Sequence, residues 1–144
     1  MKADSFLSEL DQLFHHKRFF ELRDETAKYN GENLPELLFY RGAVANKFNR
    51  MRESIELLQT YLQTVKPNGE KLRNCCELLG DNYAKNYQYR LAGEKFGWLF
   101  ENCADEYTRE NKQHLEYLYD VWSAVSDVPP QTISFENTEK KREF

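Results

Sequence analysis

The chain has 144 residues, 31% of them charged and 15% aromatic, with a formal net charge of −4 and a mean hydropathy of −0.83. That length fits one domain burying roughly two-thirds of its unfolded surface. No basic face is obvious, which argues against nucleic-acid binding, and no apolar run approaches the ~20 residues that span a bilayer.

Four prolines and six glycines favour long helices, and many rings with few small aliphatics suggest thin helical layers held by aromatics. The N-terminus has no signal-like apolar core; Met1 to Asp4 suits either a natural start or one left by a removed leader. Ala3 to His15 carries Phe6, Leu7, Leu10, Leu13 and Phe14 at helical spacing, with Asp4 or Ser5 as cap. A second helix, about Lys17 to Tyr29, has Phe19, Phe20, Leu22 and Tyr29 apolar and stops at a left-handed Asn30-Gly31. Together they form an atypical first pair. Asn33-Leu34-Pro35-Glu36 predicts the next start, with Asn33 as N-cap, Pro35 in the first turn and Glu36 completing a capping box. That helix runs through Leu37, Leu38, Tyr40, Ala43 and Ala45 to about Asn49. Its partner, Met51 to Val65, buries Ile55, Leu58, Tyr61 and Leu62 and ends at Pro67-Asn68-Gly69.

The following pair begins near Glu70 and repeats the previous one at an offset of about 38 residues. The offset matches Gly42 with Gly80, Lys47 with Lys85, Ser54 with Ala92 and Leu58 with Phe96, so small and large positions keep their size class. Leu78 to Leu99 reads as a helix, a tight turn at Lys85–Tyr87 and a second helix. Gly80 and Ala92 allow close approach, while Tyr83, Tyr87 and Phe96 fill the space around the contact. This order of small, aromatic and leucine positions resembles a tetratricopeptide helix pair, and such pairs need neighbours to bury their second face. One more helix, about Asp105 to Ser126, carries Leu115, Leu118, Tyr119, Trp122 and Val125 and closes the stack. Asp127-Val128-Pro129-Pro130 stops it, Thr132 to Phe135 alternates like a short strand, and Glu136 to Phe144 is charged. The fold reading is therefore all-α: a tetratricopeptide-like helical-repeat stack of about seven helices over residues 1–127. An extended tail over 128–144 leads towards a further domain.

Chemistry is sparse. His15 and His16 are adjacent and diverge on a helix, so they cannot chelate as an i, i+4 pair would; at a helix end they suit the C-terminal dipole. His114 stands alone, with Glu110 as an ordinary surface pair. Cys75, Cys76 and Cys103 have no metal-ligand spacing, adjacent cysteines pair only through a strained ring, and all three read as small core residues. There is no HExxH, no glycine-rich phosphate loop and no G-x-S-x-G elbow. The residues assign no catalytic group, no cofactor and no metal, and the chain reads as not an enzyme. Recognition remains. In a helical-repeat stack the first helix of each pair lines the concave side, which puts Phe39, Asn46, Lys47, Glu77, Asp81 and Lys85 in a groove. Asn and Lys there can hold a peptide backbone or a carboxylate; the same charges also compose a solvated face. The tyrosines read as interhelical packing.

The stretches LLFYRGAVANKFNRMRESIELLQTYL and LLGDNYAKNYQYRLAGEKF, the aspartate and asparagine of ENCADEYTREN, and YLYDVWSAVSDVPPQTI resemble, as an ordered set, one family region. It is the helical N-terminal region preceding a retropepsin-like aspartic peptidase domain in Bacteroidetes-type bacterial proteins. Trp122 and Val128-Pro129-Pro130-Gln131-Thr132-Ile133 are the most specific part, and the resemblance spans about Leu34 to Ile133. It implies a non-catalytic accessory domain of a bacterial aspartic protease, recruiting a partner or substrate or assembling protease domains, with an extracytoplasmic (periplasmic or exported) home. In that family the catalytic aspartate sits in an Asp-Thr-Gly or Asp-Ser-Gly motif downstream, two such aspartates sharing a water and a proton. Up to Phe144 there is no such tripeptide, so no catalytic residue carries over. Two other readings stand beside it: a free-standing peptide-binding adaptor and a homo-oligomerisation unit.

Overall fold

The computed structural model describes residues 2–103, 107 and 109–126, whose regular elements are all helices, with no strand among them. The helices are α1 (Lys2–His15), α2 (Phe19–Lys28), α3 (Leu37–Lys47), α4 (Met51–Val65), α5 (Gly69–Lys85), α6 (Tyr89–Cys103) and α7 (Arg109–Ser126). Each packs on its neighbour in sequence, and α3 also touches α1 and α5. The result is a stack with odd-numbered helices on one side. The predicted stop at 127–130, the strand-like 132–135, the tail 128–144 and the Asp105 start of the last helix lie outside the described residues.

One turn is used three times. Lys17, Asn49 and Tyr87 each take a left-handed backbone, at φ 58°, 62° and 64°. In each case the next residue's N–H reaches back to the carbonyl five positions earlier: Arg18 to Leu13 at 2.9 Å, Arg50 to Ala45 and Gln88 to Tyr83 at 2.8 Å. This pattern satisfies the orphan carbonyls at a helix end. Arg18, Arg50 and Gln88 then accept from the first turn of the next helix, through Leu22, Ser54 and Ala92. Stop and start share one residue, which fixes α1–α2, α3–α4 and α5–α6 as tight antiparallel pairs.

Three terminus expectations are corrected. Asp4 and Ser5 do not cap α1, because the helix already runs from Lys2. Asn33 does not cap α3: Pro35 disfavours a helical Leu34, so the chain enters through short i to i−3 bonds (Leu37 to Leu34, 3.0 Å) and the helix begins at Leu37. Gly31 is not left-handed; α2 leaves through an extended Tyr29. The Tyr29 ring stacks on Phe6 at 5.1 Å, and its hydroxyl donates to the Glu32 carbonyl at 2.6 Å. A Cβ on Gly31 would fall 2.7 Å from that hydroxyl, so a side chain there would push the Tyr29 ring from its place.

In the core, Gly42 and Gly80 each face a large side chain of the helix that follows. A Cβ on Gly42 would meet Leu58 at 2.7 Å, and one on Gly80 would meet Phe96 at 2.8 Å. Leu10, Leu22, Phe39, Leu58, Leu79 and Leu99 are fully enclosed, each worth roughly 1.5–3 kcal/mol of burial. Helix α7 approaches α6 more closely still, with Gly93 against the backbone of Trp122 and Ser123 and Gly97 against the Tyr119 ring. Cys75, Cys76 and Cys103 are all buried, and burial pushes the Cys75 thiol up to about 12.

Candidate functional site

The side carried by α1, α3 and α5 opens into a cleft of about 440 Å³. Asn46 and Lys47 reach it from the end of α3, and Glu77, Asp81 and Lys85 from one face of α5. Those are five of the six residues the repeat alignment selected. Phe39 is the exception. It is wholly buried, with its ring edge-on to Phe14 at 5.1 Å and to Tyr40 at 5.2 Å. Glu77 stands 38 positions later on an open face; Phe39 is covered because α1 lies across α3.

The first pair supplies what the alignment missed: Phe14 and His15 from the end of α1, Lys17 from the turn, and Phe19 from the start of α2. Asn74, one turn before Leu78 on α5, also lines the cleft. The recurring left-handed turn was the available signal, but the first two copies lie 32 residues apart and the next two 38.

The acids of the cleft are already engaged. Asp81 accepts from Lys85 Nζ at 3.0 Å and from Asn46 Nδ2 at 2.9 Å. Glu77 accepts from the Tyr107 hydroxyl and lies 3.8 Å from Arg73 Nε. Burial and that carboxylate push the Tyr107 phenol well above its ordinary range. Lys17 and Lys47 are different. Both are exposed, and among the described residues neither has a carboxylate at ion-pair distance. Lys47 Nζ instead sits 5.2 Å over the Phe19 ring, a cation–π contact.

Beneath the cleft a buried polar chain ties three helices together. Ser54 Oγ donates to the Gly42 carbonyl at 2.6 Å and accepts from Asn82 Nδ2 at 2.8 Å. Asn82 Oδ1 accepts from Asn46 Nδ2 at 2.8 Å, and the same Asn46 amide reaches Asp81. Among the described asparagines, two amide atoms of residues lining the cleft are left over: Asn46 Oδ1 and Asn74 Nδ2 are buried with no hydrogen-bond partner. Native structures hold few such groups, because each costs about 1–3 kcal/mol.

Beside this lies a second polar knot. Lys71 bonds to Asp11 and stands over the rings of Phe39 (4.9 Å), Tyr40 (5.0 Å) and Phe14 (5.8 Å), clamping α5 onto α1. Burial works against the Asp11 carboxylate. Hydrogen bonds from Lys71 and Tyr40, with the Lys71 and His15 charges, outweigh it and hold the carboxyl below its ordinary range. His15 Nε2 lies 3.3 Å from both Asp11 and Glu70.

A second cleft, about 500 Å³, opens between α5 and α7. It shares Asn74, Glu77 and Asp81 with the first, so α5 forms the ridge between them. Its far wall is more apolar, with Phe96, Leu115 and Leu118. Among the described residues no group of His, Cys, Asp or Glu is placed to hold a metal ion. No described helix is long and apolar enough to cross a membrane.

No protein-family model matches the chain, and neither does any curated protein or solved structure. What the site can do therefore follows from its own chemistry. The buried thiols of Cys75 and Cys76 have raised pKa values, so they are held protonated and away from nucleophilic use. The cleft offers something else: two ammonium groups with no carboxylate partner among the described residues, aromatic walls and, buried in its lining residues, two amide atoms without a hydrogen-bond partner.

Proposed function

We propose that this chain is a non-catalytic binding module that holds an extended segment of a protein partner along the face formed by α1, α3, α5 and α7. The observation that carries the reading is the pair of unspent amide atoms, Asn46 Oδ1 and Asn74 Nδ2, in residues lining one cleft. One is an acceptor and the other a donor, and a peptide main chain supplies both counterparts. On this reading the thrice-used turn marks a tetratricopeptide-like repeat, with α7 as its closing helix.

The test is a selection from random peptides of about twelve residues, about 40 Å when extended, on the full chain. Selected peptides are expected to shift the side-chain amide resonances of Asn46 and Asn74. Binders that leave both resonances unmoved overturn the groove. The protein setting we propose is the helical region ahead of a bacterial retropepsin-like aspartic protease, supported by the ordered motif set that includes Trp122. A parent reading frame continuing into a β-rich segment with an Asp-Thr-Gly or Asp-Ser-Gly motif is expected. A parent frame without one overturns the protease setting and leaves a free-standing adaptor.

A further inference from the structure

We infer that the segment held in the α1–α3–α5 cleft is acidic, and that it places a carboxylate side chain between Lys17 and Lys47. This rests on the groove reading above and adds the chemistry of its ligand. The cleft's own acids are spoken for: Asp81 by Lys85 and Asn46, Glu77 by Tyr107 and Arg73. Lys17 and Lys47 have no such partner among the described residues, and they reach the same cleft from the α1–α2 turn and the last turn of α3. A solvated-face account explains Lys47, which complements the dipole in the last turn of α3. Lys17 stands exposed in the left-handed turn after α1, with no carboxylate partner among the described residues. The orphaned Asn74 Nδ2 supplies a third donor. Asn74 is 9% exposed, so that donor is shielded from competing water. Two cations and a dry donor suit a carboxylate held by charge-assisted bonds. A nucleic-acid strand fits less well, because it brings a phosphate with every nucleotide to a chain whose net charge is −4.

The experiment compares the full wild-type chain with Lys17→Glu/Lys47→Glu, each screened against the same random-peptide library and against mixed-sequence single-stranded DNA. Both lysines are exposed, so the melting temperature is expected to stay close to wild type. Lys17→Gln/Lys47→Gln serves as a milder second variant. Wild type is expected to select Asp or Glu at one peptide position. Its peptides should bind the charge-swapped variant roughly tenfold more weakly, the swapped variant should select Lys or Arg there, and the glutamine variant should show no preference. Peptides without an acidic position, indifferent to the swap but weakened by Asn74→Leu, overturn the acidic ligand and leave the groove standing. Peptides indifferent to every one of these substitutions, or no enriched peptide at all, overturn the groove and this inference with it. Binding confined to the DNA overturns both in favour of a nucleic-acid surface.

Discussion

Asn82→Ala cuts the buried polar chain at its centre. Asn82 is fully enclosed and gives up two hydrogen bonds, one accepted from Asn46 Nδ2 and one donated to Ser54 Oγ, each 2.8 Å. At about 1 kcal/mol net for each, the bonds account for about 2 kcal/mol. The space left by the amide adds about 1 kcal/mol, and the better helix propensity of alanine returns roughly 0.5 kcal/mol. The expected loss is about 2–3 kcal/mol, or on the order of 8 °C in melting temperature for a chain of this size. Urea unfolding followed by far-ultraviolet circular dichroism measures it. Ser54→Ala is expected to couple to it by about 1 kcal/mol in a double-mutant cycle, because both single changes remove the same Asn82–Ser54 hydrogen bond. Asn82→Asp separates hydrogen bonding from volume. The hydroxyl hydrogen of Ser54 is already committed to the Gly42 carbonyl, so a carboxylate at 82 would face a lone pair instead of a donor. Burial would raise that carboxyl's folded pKa, so the variant should be less stable than Asn82→Ala at neutral pH. It should recover as the pH falls and the folded state takes up the proton. An Asn82→Ala loss below about 0.5 kcal/mol, or an Asn82→Asp variant indistinguishable from wild type at neutral pH, would refute the account.

Gly93→Leu should destabilise the chain by about 1–3 kcal/mol, since even a Cβ there would lie 3.2 Å from the Ser123 backbone nitrogen; calorimetry against Gly69→Ala, an open left-handed site where only backbone strain acts, separates crowding from conformation. Asp11 has a folded pKa below its ordinary 3.8, so its contribution is complete above that value and is lost as pH falls through the lower folded one. Acid titration of stability should therefore be shallower in Asp11→Asn, and an unchanged acid limb would count against the Lys71 clamp. The buried thiols should be nearly inert to a thiol reagent in the native state, Cys75 above all with its pKa of about 12; all 3 cysteines of the chain should react once it is denatured. Rapid native labelling of Cys75 would mean the α4–α5 contact is open.

The parts of the fold legible in the sequence are those decided locally. Met51–Val65 was readable to the residue because its stripe of Ile55, Leu58 and Leu62 runs into Lys66-Pro67, where the chain turns left-handed. The turn at Tyr87 was readable from the break in periodicity. Helix starts failed where a local preference conflicted with a neighbour: Asn33 has a good capping side chain, but Pro35 keeps Leu34 out of the helix. The cleft was legible on α5, where Glu77, Asp81 and Lys85 fall four residues apart on one face. Phe39 was misplaced and Lys17 missed for one reason. The alignment at 38 residues carries no information about how α1 lies on α3, and that contact buries the first and brings in the second. The unspent amides could not have been read at all, because satisfaction of a buried Asn depends on neighbours 28 to 36 positions away.

The two clefts share α5 but are held differently. The first is bounded by helices bound to one another through polar links: Asn46 to Asp81 and Asn82, Asn82 to Ser54, Lys71 to Asp11. Buried hydrogen-bonded chains of this kind specify one geometry, because any sliding of α3 against α5 strands several donors together. The second cleft has α7 as its far wall, and α7 packs chiefly on α6 through Gly93 and Gly97. Backbone contact of that sort fixes distance closely but leaves rotation to side-chain packing. A ligand spanning both clefts would thus meet a preorganised end at Lys17 and Lys47 and an adaptable end at Leu115 and Leu118. At the first the helices are fixed and binding orders chiefly the exposed lysine side chains, whereas the far wall of the second rests chiefly on α6. Peptides truncated at the end that occupies the α1–α3–α5 cleft should therefore lose more affinity per residue than those truncated at the other.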